Sequence, residues 1–148
     1  MIQALTARYP QREAIEDMAP WDKAYTSEMR KIFAAFPDDL EVRAVFAESI
    51  MNETPWQMWD LPSGKPAEGA GTEECRALLE SALDRIPAAW DHPGLLHLYV
   101  HLMEMSPFAA RAAGRRPVAR DRPGFRSPHP HADASRCAVR ALQRRARL

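Results

Sequence analysis

Apolar residues recur at three- and four-residue spacing through the first 108 positions, and nowhere do they alternate one by one. Tyr25, Met29, Ile32, Phe33 and Phe36 form one stripe between Trp21 and Phe36, and Val42, Val45, Phe46 and Ile50 form a second. Leu78, Leu79, Ala82, Leu83 and Ile86 make a third, and Leu95, Leu96, Tyr99, Leu102 and Met103 a fourth. This period gathers side chains on one face of an α-helix, whereas a half-buried strand alternates every second residue. The pattern predicts an all-α fold.

Proline sets the boundaries. Pro37 and Pro87 close the first and third stripes, and Pro93 opens the fourth at the first-turn position where proline is tolerated. Asp38-Asp39 put acid at the start of the second helix, and Thr72 is expected to cap the third with Glu73 and Glu74 in its first turn. Thr54-Pro55 reads as a cap and first turn of a short helical piece carrying Trp56, Met58 and Trp59. Leu61 to Gly71, rich in Pro, Gly and Ser and without periodicity, reads as a loop. Phe36-Pro37 and Ile86-Pro93 leave little room between consecutive helices, which predicts antiparallel pairs. The segments Ile32–Pro37 and Ala82–Pro87 match in pattern at an offset of 50 residues. One helix pair cannot bury its own apolar face, so stacked pairs are expected.

Three segments carry a family resemblance. Phe36-Pro37-Asp38-Asp39-Leu40-Glu41-Val42-Arg43-Ala44 resembles the join between tetratricopeptide helices. The segments from Met51 to Asp60 and from His92 to Glu104 resemble signature stretches of microbial and fungal tetratricopeptide-repeat proteins. The resemblance covers about residues 1–107 and implies a short TPR-like α-solenoid; it implies no particular reaction. Similar proteins carry further repeats before the position of Met1 and a second His-rich segment after Ser106-Pro107, so the resemblance implies an array cut at both ends.

Charge divides the chain at the same place. Residues 1–108 hold 9 Lys+Arg against 18 Asp+Glu, whereas residues 109–148 hold 11 Arg, no Lys, and only Asp121 and Asp133. The expected organisation is a TPR-like helical segment, 1–108, and a disordered Arg/Pro/Ala-rich tail, 109–148. The tail's arginine, alanine, proline and glycine share GC-rich codons, which fits a gene read out of frame. Eleven arginines would otherwise make a salt-dependent nucleic-acid arm, though Phe125 is its only aromatic and no RNA- or DNA-binding spacing is present. No apolar run reaches the ~18 residues of a membrane span, and the start lacks the pattern of a secretory signal. Cys75 and Cys137 form no CxxC pair, so a reducing cytoplasm is the expected compartment.

Two constellations could carry chemistry. His97, His101 and Glu104 fall at i, i+4 and i+7, one helix face, and two imidazoles with a carboxylate suit a first-row divalent metal, with His92 nearby. The HExxH metalloprotease motif is absent because position 98 is Leu. Trp56, Trp59 and Trp90 with Met58, Met103 and Met105 could line a peptide groove or simply pack between helix pairs. Cys75 is discounted as a nucleophile because Glu73 and Glu74 oppose its thiolate, and Gly64, Gly69 and Gly71 make no phosphate loop.

The leading expectation is a non-catalytic protein–protein interaction scaffold with no cofactor, binding a protein or peptide through Trp56, Trp59, His97 and His101. Its acidic character favours basic partners. The alternatives are a metal-binding protein or metal-dependent enzyme using His97, His101 and Glu104, or a truncated fragment without selected function.

Overall fold

A computed structural model describes residues 1–14 and 16–109. The 109–148 tail, all but Ala109, therefore lies outside the described residues. The described part is mostly helical. A 3-10 turn, Ile2–Ala4, leads into the short α1 (Leu5–Arg8), followed by α2 (Ala19–Ala35) and α3 (Leu40–Glu53). Then come two-residue strands β1 (Trp59–Asp60) and β2 (Lys65–Pro66), α4 (Thr72–Arg85), a 3-10 turn at Pro87–Asp91, and α5 (Pro93–Met103). Among the described residues, no helix is long and apolar enough to cross a membrane.

The four long helices fall where the stripes predict them. Asp39 caps α3, its carboxylate accepting from the Val42 amide at 3.0 Å. Pro93 sits in the first turn of α5, behind His92, whose Nδ1 accepts from the Leu95 amide at 3.1 Å. Because Nδ1 accepts, the ring proton is on Nε2, which faces Glu41 at 3.3 Å. His92 is therefore occupied as a helix cap.

Contacts between the helices fix their directions. Near the α2–α3 turn Phe33 stacks on Phe46 with centroids 5.4 Å apart; farther along, the Thr26 hydroxyl donates to the Ser49 carbonyl at 3.0 Å. Residue numbers rise on one helix as they fall on the other, so α2 and α3 run antiparallel. The same argument holds for α3 and α4. Arg43 donates to the Leu78 carbonyl at 2.9 Å, the Cys75 thiol lies 3.7 Å from the Ala47 carbonyl, and Gly71 lies against Ile50. A Cβ at Gly71 would come within 2.4 Å of the Ile50 side chain, which explains why the chain enters α4 through glycine.

One apolar cluster joins the helices, with Met29, Phe46, Ile50, Leu79, Leu95 and Leu102 fully buried in it. Each such side chain contributes about 1.5–3 kcal/mol. Arg43 is buried among them. Its guanidinium also donates to the Ser81 hydroxyl at 2.7 Å and to the Pro37 carbonyl at 2.6 Å, and lies 5.0 Å over the Phe33 ring. Burial pulls its pKa below the ordinary arginine value, with Asp38 opposing and Arg85 adding to the effect.

The segment between α3 and α4 departs from expectation in three ways. No helical piece starts at Thr54-Pro55: Thr54 ends α3, and Trp56 takes a left-handed backbone with φ of 62°. The stretch after it contains an antiparallel ladder, Trp59 opposite Pro66 and Asp60 opposite Lys65. Strands of two residues are too short for alternation to register in sequence. Finally, Gly71 takes the cap position of α4, and the Thr72 hydroxyl instead donates to the Met58 carbonyl, tying the connector to the helix.

Candidate functional site

The connector folds over one end of α3 and α5 and leaves a pocket there of about 240 Å³. Glu48, Met51 and Asn52 of α3 and Leu98 and His101 of α5 line it. Pro55, Trp56, Met58, Trp59 and Met105 complete it. A wider surface depression adjoins it, sharing Trp56, Trp59 and Met105, and is lined further by Asp60, Lys65 and Glu68.

The two connector tryptophans have opposite environments. Trp59 is 6% exposed; its indole Nε1 donates to the Leu102 carbonyl at 2.6 Å, and Phe108 packs edge-on against it at 6.2 Å. Trp56, three residues earlier, is 75% exposed. Its ring stands perpendicular to that of His101 with centroids 5.8 Å apart. A left-handed backbone costs a bulky L-residue on the order of 1–2 kcal/mol. The fold therefore bears a conformational penalty to hold a large apolar side chain in water.

The sequence-derived candidates separate here. Trp56, Trp59 and His101 come together in the pocket, along with Met58 and Met105. His97 does not line it; it is exposed, and its ring meets His101 edge-on at 4.5 Å. Met103 belongs to the core, and Trp90 is half-buried with its indole bonded to the Leu83 carbonyl at 2.8 Å. Glu48, Met51, Asn52, Pro55 and Leu98 were not singled out by sequence. A signal for the α3 wall existed: Glu48, Met51 and Asn52 share helical spacing offset from the stripe that ends at Ile50.

His97, His101 and Glu104 do share a face, as their spacing implies. His101 Nδ1 lies 3.1 Å from Glu104 Oε1, a charge-assisted contact when the ring is protonated. Among the described residues, no group of three or more His, Cys, Asp and Glu side chains is arranged to hold a metal ion. Cys75 is fully buried, and burial first, then the neighbouring Glu74 charge, pushes its thiol up to about 12. The thiolate needed for nucleophilic chemistry is thus suppressed at neutral pH.

No family model, curated protein or solved structure matches the chain.

Proposed function

We propose that residues 1–108 form a TPR-like interaction module, non-catalytic in itself, whose Trp56 pocket receives one large apolar side chain from a basic peptide segment. The observation that carries the reading is Trp56: an exposed indole held in a strained backbone conformation. Strain of this kind gathers at binding sites, where the surrounding structure maintains it. The pocket is smaller than the roughly 300–1,000 Å³ that drug-sized ligands occupy, and it suits a single side chain. Tryptophan and methionine walls provide the adaptable, high-energy contacts of binding hot spots.

Consecutive antiparallel packing of α2 on α3 and of α3 on α4, with α5 against both α3 and α4, supports the stacked-repeat reading. The excess of carboxylates over residues 1–108 favours cationic flanks on the partner by steering. The test is fluorescence polarisation of the full chain with a labelled peptide bearing phenylalanine between arginines. Binding should weaken at least tenfold for a Trp56→Gly protein and for a peptide with alanine in place of phenylalanine. Equal binding in either comparison would remove the pocket from the interaction.

A further inference from the structure

On the reading of the Trp56 pocket as a peptide site, we propose that its occupant in the resting protein is this chain's own basic segment. Phe125 enters the pocket, and Arg122 and Arg126 lie against the acidic surface beside it. Three observations carry this.

The first is where the described chain ends. Met105 lines both the pocket and the adjoining depression, and Phe108 packs on Trp59 with Arg76 5.0 Å over its ring. The described chain therefore ends beside the site. The second is reach. Phe125 lies sixteen residue steps beyond Ala109. Extended, they span up to about 50 Å, against a radius of gyration of about 13 Å for a domain of this size. Tethering at this length gives an effective concentration on the order of millimolar, so a weak intrinsic affinity suffices for occupancy.

The third is complementarity. Residues 109–148 carry a formal net charge of +9, against −9 for residues 1–108. Phe125 is the only aromatic residue in the tail and is flanked by Arg122 and Arg126, the chemistry the pocket favours. Glu48 at the pocket and Glu68 in the depression offer carboxylates to those arginines, beside Asp60, whose Oδ2 already accepts from Ser63, with Lys65 as the opposing charge. The occupied pocket would make an external partner compete with the tail.

The experiment uses the full chain with a nitroxide on Ser127→Cys in a Cys137→Ser background; Cys75 is buried and stays unlabelled. The reporter is the Trp56 indole NMR signal, identified by its loss in a Trp56→Phe spectrum. The label should broaden that signal, less so at high salt, and Phe125→Ala should abolish the broadening. The arginine-flanked phenylalanine peptide should bind the Phe125→Ala protein roughly tenfold more tightly than wild type, since the tethered competitor is gone.

An unbroadened Trp56 signal with equal peptide affinity in both proteins overturns the inference and leaves the peptide site standing. Broadening that persists in Phe125→Ala means association by charge alone and also overturns it. Broadening of unlabelled protein mixed with labelled protein assigns the pocket to a second copy and likewise overturns it. Phe125-dependent broadening within one molecule, with no peptide binding by either protein, upholds the self-docked tail and removes the external partner.

Discussion

The α3–α4 seam and the connector that joins its two helices treat their side chains in opposite ways. Along the seam polar groups are buried and aimed at carbonyls: Arg43 at Leu78 and Pro37, Cys75 at Ala47, Ser49 at Phe46. In the connector, Trp56 stands in solvent on a left-handed backbone, while Trp59 a few residues later is buried and hydrogen-bonded. Packing and hydrogen bonding explain Trp59 and the seam, apart from the buried Arg43 Nε, which has no partner among the described residues. Neither explains Trp56. The contrast shows how residues that hold a fold together can be told from residues the fold holds out: the former are buried and hydrogen-bonded, while Trp56 keeps a ring contact with His101 but stays exposed.

The sharpest way to test that contrast is to remove each connector tryptophan. Trp59→Ala deletes a buried ring and leaves the Leu102 carbonyl without its donor, and it should cost about 3–5 kcal/mol in urea unfolding. A cost below about 1 kcal/mol would mean that the connector is not anchored to α5 as described.

An intermediate effect belongs to the seam. The Cys75 thiol ionises in the unfolded chain near its ordinary value of 9.0, but in the folded protein only near 12. Its folded pKa is raised, so its contribution is fully present below pH 9 and is lost as pH climbs toward 12. Stability should fall by as much as about 1.4 kcal/mol per pH unit in that window. Cys75→Ala should flatten the slope, measured as midpoint urea concentration against pH; an unchanged slope would show that the thiol is solvated. The burial-raised Tyr25 hydroxyl adds a slope of the same sign, which the variant retains.

The smallest effect has the opposite sign. Trp56→Gly relieves the left-handed backbone and removes an exposed ring, so stability should stay level or rise by about 1 kcal/mol despite the loss of ring contacts. A thermal melt decides it. Clear destabilisation would place Trp56 among the supporting residues.

Periodicity made the helices and most of their buried residues legible, because each stripe needs only the local 3.6-residue repeat. Tyr25, Met29, Phe46, Leu79 and Leu102 lie buried as the stripes require, although Phe36, at the end of its stripe, is 59% exposed beside the α2–α3 turn. The pocket was legible only in part. Trp56, Trp59 and His101 could be picked by residue type, but no local rule brings residues 48–52 beside 98–101. That juxtaposition is set by how α3 packs on α5. The connector misleads because Thr-Pro is chemically competent to open a helix, and only tertiary ties such as Thr72 to the Met58 carbonyl decide against it. The role of Arg43 was illegible for a related reason: a charged residue on a helix gives no local sign that three oxygen acceptors will converge on it.

Arg43 has a consequence for how the molecule comes apart. Helical-repeat proteins commonly open one unit at a time, since each unit touches only its neighbours. Here one guanidinium joins the turn of the first helical hairpin, at the Pro37 carbonyl, to the first helix of the second, at Leu78 and Ser81. Separating the hairpins would take the Arg43 guanidinium from its Leu78 and Ser81 acceptors on α4, so the two should open together. In hydrogen exchange they would form a single cooperative unit, with no intermediate in which one hairpin stands while the other is lost.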